Sequence, residues 1–136
     1  MCGIWLLLAR TDFTVEHFKS FMDFKSRGPD YTQNISVNVN NSFLKTLTMG
    51  FHRLSVMDTT MNGSQPFEVV DGSRTIYVMC NGEIYNHKEL ARELFDKFGI
   101  TMKSKSDCEV LPYLYKVYGF DKMMSKLNIG EFAISL

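Results

Sequence analysis

The first apolar run is short and unbroken: Ile4, Trp5, Leu6, Leu7, Leu8 and Ala9 follow Gly3, and residues 3–9 read as a core strand. The spacing then changes. Phe18, Phe21 and Met22 lie three and four positions apart, the period of one helix face, and predict a helix over residues 15–24. Arg27-Gly28-Pro29-Asp30 is turn chemistry. After it Ile35, Val37 and Val39 alternate with Ser36 and Asn38, as a half-buried strand does. Residues 43–54 continue as another strand, expected to pair with the one before it. Residues 58–66 are polar and rich in Thr, Asn, Gly and Ser, which predicts a loop. Residues 75–80 return to strand character, and Asn81-Gly82 closes that strand with a tight-turn signal.

Helical spacing dominates the rest. Leu90, Leu94, Phe95 and Phe98 place an apolar stripe on one face, with Asn86 as the candidate N-cap and Gly99 as the stop. Ser106 or Asp107 is expected to cap a second helix carrying Val110, Leu111, Leu114 and Val117. Pro112 must then sit in its early turns, because an interior proline costs about 3 kcal/mol. A third helix over residues 121–127 leads into a last strand over residues 131–136. No internal repeat, low-complexity tract or Gly/Ser linker marks a second domain. Strands and helices mix without regular βαβ alternation, which predicts an α+β fold with antiparallel sheets.

Composition narrows the classes. A chain of 136 residues, 45% hydrophobic and 13% aromatic, suits a soluble globular domain and not a disordered tail. At this length folding removes roughly 68% of the unfolded chain's surface from water, enough for a core without covalent staples. Fifteen basic and fifteen acidic residues cancel, and no basic run is dense enough to neutralise a row of phosphates, so nucleic acid is not an expected partner. Cys2, Cys80 and Cys108 cannot all pair within the chain and lack the short CxxC spacing of structural zinc sites. Free thiols in a reducing cytoplasm fit that usage, and no metal is expected. The apolar run at the start is far below membrane-spanning length and has no basic segment before it, so neither a signal peptide nor a membrane anchor is expected. Cys2 also breaks the usual myristoylation pattern, which needs glycine there.

Three places can carry chemistry. Cys2 follows the initiator, and its small side chain permits removal of Met1, leaving one residue with both a thiol and a free α-amine. An α-amine of pKa about 7.7 to 8.0 can take the thiol proton and later pass it to a leaving amine. On position alone, a cysteine that merely begins a strand is the commoner case. Asn81-Gly82-Glu83 lies between a strand and a helix, where a side-chain amide and an unhindered backbone N–H can form an oxyanion hole; an Asn-Gly turn is the plainer alternative. Arg53 and Asp107 offer one charge of each sign, as an amino-acid ligand requires: a guanidinium for the α-carboxylate, a carboxylate for the α-ammonium. Separately they are also a surface charge and a helix cap.

Met1-Cys2-Gly3-Ile4, Arg27-Gly28-Pro29-Asp30, His52-Arg53-Leu54-Ser55-Val56, Gln65-Pro66, Asn81-Gly82-Glu83-Ile84-Tyr85-Asn86-His87, Ser106-Asp107-Cys108-Glu109 and Gly130-Glu131-Phe132-Ala133 follow one another along nearly the whole chain. In that ordered set the sequence resembles the class II glutamine amidotransferases, most closely the glutaminase domain of glutamine-hydrolysing asparagine synthetases. Gly82-Glu83-Ile84-Tyr85-Asn86 favours these over the glucosamine-phosphate and phosphoribosylamine amidotransferases.

The resemblance implies a four-layer αββα sandwich of the N-terminal-nucleophile hydrolase type. It implies Cys2 as the nucleophile and Asn81 and Gly82 as the oxyanion hole. Arg53 is then the α-carboxylate ligand, while Asp107 and Glu83, with backbone from Leu54 through Val56 to Met57, hold the α-amine side. Arg27 and Gly28 support the nucleophile, and Cys80 and Cys108 have no family role and are read as packing. L-glutamine is the implied substrate. The ammonia is delivered to a synthetase domain or chain, with a homodimer as one option. No cofactor is expected in this chain; ATP and magnesium are expected only in the synthetase domain.

Some positions depart from the family pattern. Lys25-Ser26 stands where Arg-His is more usual, and Trp5-Leu6 replaces a smaller pair. The family's domain also continues past Phe132-Ala133, so residues 1–136 are expected to be an incomplete amidotransferase domain, truncated at the C-terminus. Missing strands would then leave sheet edges exposed. A non-catalytic module that binds an amino acid or a partner is the competing reading, and the glutaminase domain of another class II amidotransferase is a further one.

Overall fold

The computed structural model describes residues 2–39 and 42–136, and the chain divides into two compact units, Met1–Ser55 and Val56–Leu136. In the first, β1 (Gly3–Ala9), β2 (Tyr31–Asn38) and β3 (Thr46–Arg53) form an antiparallel sheet in the order β1-β3-β2. Strand β3 pairs with the strand before it, as expected, and also with β1, so it is the central strand. Gly3 and Thr32 both lie opposite His52, and Trp5 and Asn34 both lie opposite Gly50. Central position explains why Thr46, Thr48 and His52 are buried together with Met49 and Phe51. Strand β2 starts at Tyr31, ahead of the alternation at Ile35, because ladder bonds to β3 extend it through polar residues.

Helix α1 (Val15–Met22) opens with a reciprocal cap: His17 N donates to Thr14 Oγ1 at 3.3 Å, and Thr14 N donates to His17 Nδ1 at 3.1 Å. It ends at Met22, short of the predicted residue 24, and a 3-10 turn, Lys25–Arg27, follows. Phe21 is fully buried, and its ring occupies the space over Gly50, where an added Cβ would lie 2.4 Å from a ring carbon. The same ring stacks on His52, with centroids 4.1 Å apart. His52 Nε2 lies 2.9 Å from the Phe21 carbonyl oxygen, which can only accept, so Nε2 carries the hydrogen. Nδ1 faces Thr32 Oγ1 at 2.9 Å. Helix α1 is thereby fixed to the end of β3 that carries Arg53.

The second unit holds β4 (Phe67–Asp71), β5 (Arg74–Asn81) and β6 (Ala133–Ser135) in an antiparallel sheet of that order. Helices α2 (His87–Phe98), α3 (Val110–Tyr118) and α4 (Phe120–Lys126) share one core with it. Phe67, Ile76, Val78 and Cys80 pack with Leu90, Leu94, Leu111, Leu114, Met123 and Cys108. Sequence pattern predicted nothing over β4. It is five residues long and becomes a strand through its hairpin with β5, turned at Gly72 with φ +61°.

Two caps differ from expectation. Asn86 occupies the N-cap of α2 without a capping bond; its side chain instead donates to the Lys126 carbonyl at 2.8 Å and accepts from Asn128 N at 2.9 Å. Neither Ser106 nor Asp107 caps α3. A 3-10 turn, Asp107–Glu109, intervenes, Ser106 makes no side-chain capping bond, and the Asp107 carboxylate is taken by the buried N–H of Ile84. Pro112 sits in the first turn of α3, and Gly99 ends α2 at φ +68°, both as predicted. The architecture is α+β with antiparallel sheets. Among the described residues no helix is long and apolar enough to cross a membrane.

Candidate functional site

The residues singled out by sequence fall into two groups, one in each unit. In the first, the β1–β3 register sets Gly3 opposite His52, so the chain entering β1 meets the chain leaving β3. Cys2 and Leu54 are therefore neighbours: Leu54 N donates to Cys2 Sγ at 3.3 Å, and the thiol lies 3.6 Å from the Leu54 carbonyl oxygen. Arg53, at the end of β3, is only 5% exposed. Met1, whose removal the sequence reading requires, lies outside the described residues.

Residues 27–30 brace this corner. A Cβ on Gly28 would stand 2.1 Å from the His52 carbonyl oxygen, so only glycine lets the segment run against the end of β3. Arg27 Nε reaches the Cys2 carbonyl oxygen at 3.5 Å. Asp30 ties the segment to the chain beyond Arg53: its N–H donates to Arg53 O at 3.0 Å, and Oδ2 accepts from Ser55 N at 2.7 Å. The turn chemistry that the sequence predicts at Asp30 does not reveal this bracing role.

In the second unit, β5 ends at Asn81, and Gly82 passes close to Phe132, where a Cβ would approach the Phe132 Cβ at 2.6 Å. Asp107 is 6% exposed, and its Oδ2 accepts from Ile84 N at 2.7 Å, bringing the carboxylate beside Asn81-Gly82-Glu83. Glu83 is exposed, as are Val56 and Met57. Met57 borders a cleft of about 310 Å³ between residues 57–60 and residues 102–105. Two buried carboxylates hold its walls. Asp58 accepts from Thr60 N and Thr60 Oγ1, both at 2.7 Å, and from Lys105 N at 2.6 Å. Glu109 accepts from Lys103 N at 2.8 Å and from Ser104 N and Oγ at 2.7 Å. The sequence pattern assigns neither a role, since most of their partners are backbone donors, which leave no residue-type signal.

Cys108, next to Asp107, is pushed well above the ordinary thiol range by a hydrogen bond with Cys80, then by burial, with the Asp107 charge adding to both. Cys108 and Cys80 both lie in the core of the second unit, the ordinary setting of a packing thiol. Among the described residues no three His, Cys, Asp or Glu side chains converge as a metal-ligand set.

A family model described as "Glutamine amidotransferase domain" matches residues 1–136. A probable glutamine-hydrolysing asparagine synthetase of Acanthamoeba polyphaga mimivirus is 41% identical over 108 residues, covering 79% of this chain and 18% of that protein. The glutamine-hydrolysing asparagine synthetase of Homo sapiens is 34% identical over 138 residues, 100% of this chain and 22% of the relative. The amidase chyE of Penicillium rubens is 35% identical over 150 residues, again across 100% of this chain and 20% of its own length. The chain thus spans about a fifth of the length of the curated relatives it matches.

Proposed function

The chain belongs to the family of glutamine amidotransferase domains, and on that premise we propose that it hydrolyses L-glutamine to glutamate and ammonia, the ammonia serving asparagine synthesis. The observation that carries this reading is the sulfur of Cys2, held 3.3 Å from Leu54 N at the end of the strand bearing Arg53. It gives the thiol a defined position against the backbone of Leu54, the residue that follows the buried Arg53.

In the proposed reaction Met1 is first removed, freeing the Cys2 α-amine. That amine takes the thiol proton, and the thiolate attacks the γ-carboxamide carbon. The oxyanion draws on the Asn81 carboxamide and Gly82 N–H, where removing one such donor costs about 10²- to 10³-fold in turnover. The ammonium returns its proton to the departing nitrogen as the C–N bond breaks, leaving a thioester and ammonia. Water adds to the thioester, giving glutamate and the free thiol. Arg53 binds the α-carboxylate; Asp107 and Glu83, with backbone of Leu54, Val56 and Met57, hold the α-amine. Each unit's antiparallel sheet with helices on it supports the four-layer αββα arrangement. Activation of the acceptor, with ATP and magnesium, belongs to a synthetase domain or chain beyond these residues, and the free thiols of Cys2, Cys80 and Cys108 fit a cytoplasmic setting.

Ammonia release from glutamine, compared with Cys2→Ala, tests the reading, alongside intact-mass measurement of Met1 removal. Wild type should turn over and Cys2→Ala should not. Equal rates remove the nucleophile, and a silent wild type lacking Met1 favours the non-catalytic module.

A further inference from the structure

Gln65 is 4% exposed, and its Oε1 accepts from Cys80 N at 2.6 Å, one residue ahead of Asn81. The β4–β5 ladder sets Phe67 opposite Val78; carried two residues further it would set Gln65 opposite Cys80. The ladder stops short of that pair at Pro66, which has no N–H to give, and a side-chain oxygen fills the acceptor position there. The amide orientation follows from the chemistry, because a backbone N–H needs an oxygen opposite it.

The same few residues are tied downstream as well. Asp107 Oδ2 accepts from Ile84 N at 2.7 Å, so residues 81–83 hang between two side-chain acceptors, one buried at each end. On its other edge β5 has only the three-residue β6, with Ala133 opposite Asn81. The Asn81 carboxamide stands on the last residue of β5. Its aim therefore depends on where the backbone of β5 ends.

We propose that Gln65 is a positioning residue for the Asn81-Gly82 oxyanion hole, its carboxamide oxygen fixing the strand backbone that leads into it. The inference rests on the glutaminase reading above. Cys80 is 2% exposed, so water is poorly placed to replace a lost acceptor. The strand end shifts to recover a partner, and the donors move with it. A displacement of about 1 Å in such a site costs on the order of 10²-fold in rate.

The test measures kcat and KM for glutamine, with thermal melting, in the full chain carrying Gln65→Met, Gln65→Glu or Cys2→Ala. Methionine matches the length of glutamine without an oxygen; glutamate keeps the acceptor. Gln65→Met should lower kcat by roughly tenfold to a hundredfold with KM within about twofold, and Gln65→Glu should recover most of the loss. Should Gln65→Met not fold, Gln65→Asn, which retracts the oxygen by one methylene, should show the same split in milder form. A folded Gln65→Met or Gln65→Asn with unchanged kcat overturns the proposal, as does a loss shared equally by kcat and KM, or a Gln65→Glu no better than Gln65→Met. Cys2→Ala separates the two layers: if it matches wild type, the glutaminase reading fails; if it is inert while Gln65 variants are normal, only the role of Gln65 fails.

Discussion

Asp107 holds a backbone N–H and is also the proposed ligand of a substrate ammonium, and one substitution can separate the two. It is 6% exposed, its Oδ2 holds Ile84 N at 2.7 Å, and the proposed function asks the same carboxylate to bind a substrate ammonium. Asp107→Asn keeps the volume and an oxygen for Ile84 N. A charged acceptor is worth about 1.5–3 kcal/mol and a neutral one about 0.5–1.5, so stability should fall by roughly 1 kcal/mol, a shift of a few degrees in Tm. Asp107→Ala strands the buried N–H and should cost about 1–3 kcal/mol. For the ammonium both changes remove a charge-assisted bond of about 1.5–3 kcal/mol, which raises KM by about 10- to 150-fold. Turnover should change little, because the ammonium is held alike in ground and transition states. Initial rates of ammonia release against glutamine concentration, with melting curves of both variants, read the two effects separately. Glutaramate, which is glutamine without its α-amine, adds a control: it should bind wild type and Asp107→Asn equally poorly. An Asn variant with normal KM for glutamine refutes the ligand role and leaves Asp107 as a fastener of the Ile84 turn.

The remaining expectations concern other parts of the fold. Arg53→Ala should mainly raise KM and Asn81→Ala mainly lower kcat in the same assay; the reverse pattern would mean the two roles are misplaced. Gly28→Ala puts a methyl 2.1 Å from the His52 carbonyl oxygen, a backbone atom with little room to move, and should cost about 2 kcal/mol or more in denaturant unfolding. A loss below about 0.5 kcal/mol would show that residues 28–30 are not packed against β3 as described. Glu93 has its carboxyl lowered from an ordinary 4.5 to about 2, first by Lys126, then by Lys97 and Tyr118. Because the folded value is depressed, its stabilisation is complete above pH 4.5 and is lost as pH falls through about 2. Glu93→Gln should therefore flatten the acid side of the Tm–pH curve, and parallel curves for the two proteins would refute the assignment.

Local periodicity was enough for elements whose stabilising contacts lie within a few residues. The stripe from Leu90 to Phe98 and the stop at Gly99 specify α2, and residues 3–9 specify β1 with the observed limits. Strand β4 escaped because its five residues acquire a partner only when the hairpin to β5 closes. Asn86 and Asp107 were read as caps because Asn and Asp commonly cap. Each side chain instead serves a distant backbone group, Asn128 N for the first and the buried Ile84 N for the second, and burial would leave the latter unpaired without it.

The candidate site divides along the same line. Sequence alone determined which residue types are present and in what order, and so the family, because Cys2, Arg53, Asn81-Gly82 and Asp107 are chemically distinctive wherever they stand. Tertiary structure decided what holds them. The antiparallel register delivers Leu54 to Cys2, and Asp30, Gln65, Asp58 and Glu109 each satisfy a backbone N–H across a gap in the chain. A backbone donor is the same at every position, so its partner has no signature in sequence until folding removes the water that would otherwise serve it.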